Sequence, residues 1–82
     1  MMQIVWDGPK RLANLDKHGI NFADIPLEFF ESTLGGKARD GRYFALGILD
    51  VAIVVIYVVI STEGISIVSA RPACRKERRA IE

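Results

Sequence analysis

The stretch from Tyr43 to Ile60 is almost wholly apolar, interrupted only by Gly47 and Asp50. Its unbroken part, Val51 to Ile60, is ten residues long. As a helix that part would span about 15 Å, half of a bilayer's hydrocarbon core. Valine and isoleucine dominate it, and both favour strands, where a branched side chain packs well on a pleated surface. Asp50 would sit inside any longer membrane span, at a cost of roughly a few kcal/mol. The run therefore reads as two buried strands with Asp50 near the turn, and no membrane association is expected.

A chain of 82 residues has no room for a second core, so residues 1–82 are expected to form one domain. With 50% hydrophobic and 26% charged residues, general disorder is excluded. The single Cys74 cannot form an intramolecular disulfide, which fits a reducing cytosol. One Cys and one His cannot supply a structural zinc site, so no metal or other cofactor is expected. The N-terminus has no basic segment followed by a long apolar one, and Trp6-Asp7-Gly8-Pro9 breaks the pattern early. No signal peptide is expected, and the location that follows is cytoplasmic.

Met2 to Trp6 reads as a first strand, with Ile4 and Trp6 on one side and Gln3 and Val5 on the other. Asp7-Gly8-Pro9 starts a helix, with Asp7 or Gly8 as cap, and Gly19 stops it after His18. Asn21 to Ser32 reads as a second helix, because Phe22, Ile25 and Phe29 recur at spacings of three and four. Pro26 is awkward there, so the regular part is expected to start near Asp24. Leu34 to Gly41, with three glycines and alternating charges, reads as a mobile loop. Strands are expected over Arg42 to Leu49, Val51 to Ile60 and Ile65 to Ala70, with Ser61-Thr62-Glu63-Gly64 as a turn. Pro72 is expected to open a final helix through Ile81. The order is β-α-α-β-β-β-α, an α+β antiparallel sheet with helices packed on it.

Charge is segregated. Residues 1–39 balance five acids with five bases, residues 40–70 sum to −2, and residues 71–82 sum to +3. Arg71, Arg75, Lys76, Arg78 and Arg79 make a basic end that is either a solvated helix face or an attractor of phosphate. Arg71, Arg75 and Arg78 or Arg79 are spaced to share a face, and Glu77 can pair with one of them. Arg42 and Arg71 lie at strand ends, and arginine's planar fork suits phosphate oxygens. On the first helix Lys10, Asn14 and His18 stack at intervals of four, near the surface or in a groove. Leu12 and Leu15 lie roughly 130° away and are expected to face the core. His18, the only histidine, is either a general acid or base or a helix-end residue bonded to free carbonyls.

Two patterns carry a family resemblance. Trp6-Asp7, Lys10, Asn14 and Lys17-His18-Gly19 form W-D-x-x-K-x-x-x-N-x-x-K-H-G, followed by Phe22 and Phe30. Ile67-Val68-Ser69-Ala70-Arg71, Ala73 and Glu77-Arg78 form I-[IV]-S-A-R-x-A-x-x-x-E-R, preceded by Arg42 and Gly47. Together they resemble the BrnT family of toxins, formerly the uncharacterised domain family DUF497, over nearly the whole chain. The resemblance implies a small RelE-like ribonuclease fold and the toxin half of a bacterial type II toxin–antitoxin pair. It implies metal-independent RNA cleavage that blocks translation. The partner would be a BrnA-type antitoxin whose ribbon-helix-helix part binds operator DNA. The toxin itself would meet DNA only through that antitoxin, and a homodimer or a heterotetramer is compatible.

On that resemblance His18, Arg42, Arg71, Glu77 and Arg78 become the candidate catalytic residues. Lys17, Arg75 and Arg79 become candidates for binding the substrate. His18 would move a proton, the arginines would hold the phosphate, and Glu77 would act as base or orient an arginine. The chain departs from the family pattern at Val58 to Ile60 and at Ser66, where many members carry basic residues, and at Ile81, where an aromatic is common. Fewer cations imply weaker RNA binding, altered specificity or an attenuated toxin. The rival reading is therefore a partner-binding module without useful nuclease activity, acting through antitoxin binding and operon autoregulation.

Overall fold

The computed structural model describes residues 3–31 and 33–81. Met2 and Ser32, expected in the first strand and the second helix, lie outside the described residues. The chain runs β1 (Gln3–Trp6), α1 (Gly8–His18), a 3-10 turn (Phe22–Asp24), α2 (Leu27–Glu31), β2 (Leu34–Lys37), β3 (Tyr43–Leu49), β4 (Val51–Ser61), β5 (Gly64–Pro72) and α3 (Arg75–Ile81). The fold is α+β, as expected. One sheet takes the order β1-β5-β4-β3-β2. The pairs β2/β3, β3/β4 and β4/β5 are antiparallel, as their short connections require. β1, far from β5 in sequence but next to it in the sheet, pairs with it in parallel.

The apolar run forms the middle of the sheet. Asp50, at φ 64°, turns the chain between β3 and β4, a left-handed position that Asp tolerates better than most residues. One face of the sheet holds the core: Ala45, Ile53, Val55, Ile67 and Ala70 pack under Phe22, Ile25 and Phe29. Full burial of each large side chain contributes roughly 1.5–3 kcal/mol. Phe29 sits so close to β3 that a Cβ on Gly47 would come within 3.1 Å of its ring and run into Thr33. The expected second helix is split at Pro26. A 3-10 turn carries Phe22, and α2 restarts behind the proline, whose carbonyl accepts from the Phe29 N–H at 3.1 Å. All three apolar side chains still reach the core.

Leu34 to Gly41 is not a mobile loop. Leu34–Lys37 is the edge strand β2, and Asp40 (φ 57°) with Gly41 (φ 73°) makes a tight left-handed turn into β3. Arg42 N–H donates to the Arg39 carbonyl at 3.1 Å, and Ala38 N–H to the Arg42 carbonyl at 2.8 Å. Gly36 leaves room for the Phe44 ring, which would stand 3.0 Å from a Cβ there. These glycines serve close approach and turning.

α1 is capped as its sequence suggests. Asp7 Oδ2 accepts from Lys10 N–H at 3.1 Å, and Gly19 (φ 72°) donates to the Leu15 carbonyl at 2.8 Å. Its rotation differs from expectation. Leu12 and Leu15 are exposed, whereas Asn14 is buried. The cause lies in β5. β1 pairs with β5 only as far as Trp6 opposite Ile67, so the later backbone of β5 lacks that neighbour. Ala70 is fully buried, and its N–H donates to Asn14 Oδ1 at 3.0 Å. Asn14 Nδ2 in turn donates to the Ile20 carbonyl at 2.9 Å. Satisfying a buried N–H outweighs covering two leucines that half-exposed positions tolerate. Asn14→Ala is expected to lose about 2–4 kcal/mol in urea unfolding, because two bonds go and a buried N–H is orphaned. A loss below about 1 kcal/mol would show that water replaces the amide.

Candidate functional site

β5 extends to Pro72, so Arg71 lies in a strand and α3 starts only at Arg75. The expected helix from Pro72, with Arg71 on its arginine face, is thereby corrected: β5 keeps its pairing as far as Ile53 opposite Pro72. The corner between strand and helix brings Arg71 against Glu77. Arg71 Nη1 and Nη2 donate to Glu77 Oε1 and Oε2, each at 2.8 Å, in a two-pronged ion pair. Glu77 Oε1 also accepts from the Cys74 N–H at 2.8 Å, which closes the first turn of α3. These bonds, Arg71 first and the Cys74 amide second, hold the Glu77 carboxyl down at about 2. Glu77 in turn pushes the Arg71 pKa up. So low a proton affinity suits Glu77 to orienting Arg71 and makes it a weak base.

The pair is not sealed off, with 42% of the Arg71 side chain and 28% of Glu77 exposed. Nη1 also donates to the Pro72 carbonyl at 3.3 Å. Three of the guanidinium's five N–H groups are thus engaged. The Nε edge of the fork has no partner among the described residues. Beside the pair, between α3 and the outer face of the sheet, opens a cavity of about 390 Å³. Phe44, Leu46, Val54 and Ile56 form its apolar floor, and Lys76 and Ala80 stand on its helix side.

His18 and Lys17 occupy a different recess, of about 270 Å³, between α1 and β5. Lys10, Asn14 and Ser69 also border it. A bulge creates the opening: Ile56 pairs with Ser69 but Tyr57 pairs with Ile67, leaving Val68 as an extra residue. Such a bulge re-aims the side chains around it. Ser69 and Arg71 point to the same face of β5, about 6.6 Å apart along the strand. The recess therefore adjoins the Arg71–Glu77 pair without including it.

The other cations stand farther out. Arg75, Arg78 and Arg79 are exposed on α3, whose Lys76, Glu77 and Ala80 line the cavity. Arg42 is exposed just before β3. It lies four residues from Leu46, which aligns through Val54 with Arg71, so about 13 Å separates the two along the strands. The structure thus joins Arg71 with Glu77 and groups His18 with Lys17, while the exposed Arg42, Arg75, Arg78 and Arg79 belong to neither group. Lys10 and Ser69 were not among the expected site residues. The four-residue spacing of Lys10, Asn14 and His18 marked their row, but only the fold shows that it faces β5.

Residues 6–77 match the family model described as ribonuclease toxin, BrnT, of type II toxin–antitoxin system. The chain is also similar to the 1.1 Å crystal structure of the Brucella abortus ribonuclease toxin, BrnT, at 38% identity and a TM-score of 0.86. That similarity covers 92% of this chain and all of the other. No match is found among curated proteins. No helix among the described residues is long and apolar enough to cross a membrane.

Glu77 ionises more readily in the folded chain than its ordinary value of 4.5 allows. The stability it adds is complete above about pH 4.5 and is lost as pH falls through about 2. In urea titrations, the gap between the natural chain and Glu77→Gln should be constant above pH 4.5 and close as the pH falls towards 2. A gap that ignores pH would contradict the ion pair.

Proposed function

Since this chain belongs to the BrnT family, the ribonuclease toxins of type II toxin–antitoxin systems, we propose that it is itself a metal-independent endoribonuclease. It acts in the cytoplasm to block translation and is neutralised by a BrnA-type ribbon-helix-helix antitoxin. The observation that carries this reading is Arg71, fixed by Glu77 and left with a free edge towards solvent. A phosphodiester needs such a donor pair.

In this reading the substrate supplies its own nucleophile. The ribose 2′-oxygen attacks the adjacent phosphorus, its proton passes to a base, and the 5′-oxygen leaves with a proton. The products are a 2′,3′-cyclic phosphate and a free 5′-hydroxyl. Charge builds on the phosphorane oxygens, where the Arg71 fork offsets it. A phosphate lying over Ser69 and Arg71 has Arg71 on one side and the His18 recess on the other. His18 is the candidate to take or give the proton, and Lys17 adds charge beside it. Glu77 acts by holding Arg71. Arg42, Arg75, Arg78 and Arg79 act from the periphery, drawing the strand in by charge.

A second reading, antitoxin binding without useful cleavage, is favoured by one feature. Val59 and Ile60 are exposed, 53% and 57%. Exposed branched side chains at a hairpin end suit a protein partner better than RNA.

With a defined RNA in EDTA, the purified chain is expected to leave cyclic-phosphate ends. Arg71→Ala should lower the rate by about 10²–10³, the usual loss for one transition-state donor. His18→Ala should lower it by about 10²–10⁴. RNA left intact by a folded natural chain would move the assignment to ribosome-dependent cleavage or to the second reading.

A further inference from the structure

We infer that the recess between α1 and β5 is a second phosphate site, which holds the RNA backbone beyond the phosphate gripped by Arg71. This inference rests on the ribonuclease reading. Lys10, Lys17, His18 and Ser69 converge on the recess, and no carboxylate borders it. Asn14 also borders it, but its amide is committed to the Ile20 carbonyl and the Ala70 N–H. Lys10 and Lys17 have no ion-pair partner among the described residues. Lys17 and His18 stand in the last turn of α1, where the helix's carbonyl end favours cations, but Lys10 stands in its first turn, where the helix end opposes one. Structure alone does not call for a lysine there, because an acid in the first turn would stabilise the helix. An external anion supplies the missing charge.

The shape selects a chain over a small free anion. The recess opens along β5 because β1 stops pairing at Ile67 and the bulge at Val68 follows directly. Ser69 and Arg71 share one face of the strand, so an extended backbone can pass from Arg71 across Ser69 to α1 without a turn. Lys10 and His18 stand about 12 Å apart along the helix axis, room for more than one phosphate. An acidic protein segment would fit the charge too, but in the recess only Ala13 and Val68 supply an apolar wall to anchor one.

The probes are two 2′-O-methyl oligonucleotides, whose blocked hydroxyls prevent cleavage. One is a hexanucleotide and the other a dinucleotide with a single phosphate. Binding to the full chain is measured by fluorescence anisotropy across about 50–200 mM salt. Lys10→Gln should weaken the hexanucleotide about 5- to 10-fold and reduce its log–log salt slope by about 0.7, the value of one phosphate contact on a single strand. It should leave the dinucleotide unchanged, and Lys10→Arg should restore hexanucleotide binding. Lys37→Gln, which removes a cation from β2, is the control for general charge. Equal effects of Lys10→Gln and Lys37→Gln, or equal loss of both oligonucleotides in Lys10→Gln, would overturn the inference while leaving the ribonuclease reading in place. Failure of the natural chain to bind either oligonucleotide would overturn both. Lys10-dependent binding without cleavage of unmodified RNA would uphold the site and remove only the catalytic reading.

Discussion

The Asn14 amide joins three parts of the chain: α1, β5 and the segment just after α1. Its oxygen accepts from Ala70 on β5 and its nitrogen donates to Ile20, just after α1. β5 needs this because β1 is too short to pair with it as far as Ala70. A buried N–H without an acceptor costs about 1–3 kcal/mol, a large share of a small domain's stability. Placing Asn14 against β5 sets the rotation of α1. It exposes Leu12 and Leu15 and turns Lys10, Lys17 and His18 towards the bulge in β5. The position of the histidine is therefore a consequence of one structural hydrogen bond.

The same strand carries the second anchor. Arg71 continues β5 past the point where a helix might have begun, and Glu77 reaches back from α3 to meet it. Glu77 is thus both the cap of a seven-residue helix and the holder of a guanidinium. α3 buries no residue of its own, so this ion pair matters to its seat on the sheet. Orientation of a functional arginine and attachment of the last helix are one interaction. A structural role and a chemical one cannot be separated at Glu77 by sequence position.

Much of the frame was legible because it depends on local rules. The Val/Ile run, Asp50 at its turn, the caps at Asp7 and Gly19, and the core positions Phe22, Ile25 and Phe29 all follow from side-chain type and spacing. β2 was missed although Asp40-Gly41 is a strong turn signal, because three glycines weigh against a strand until Phe44 is seen lying over Gly36. In the candidate site, the residue types pointed to phosphate chemistry, and pairing of Glu77 with an arginine was foreseen. Its partner, its geometry and the roles of Lys10 and Ser69 were not. Those depend on a strand-to-helix corner and on a bulge, neither of which leaves a periodic mark.

By itself the sequence determined the three central strands, the two ends of α1, the burial of Phe22, Ile25 and Phe29, and the family. Each of these rests on interactions between near neighbours or on the hydrophobicity of single side chains. The tertiary structure decided which face of α1 meets the sheet, where β5 ends, and how His18, Ser69 and Arg71 are distributed along it. These depend on how far β1 reaches beside β5 and on one unpaired N–H at Ala70, a condition that exists only once the sheet has formed.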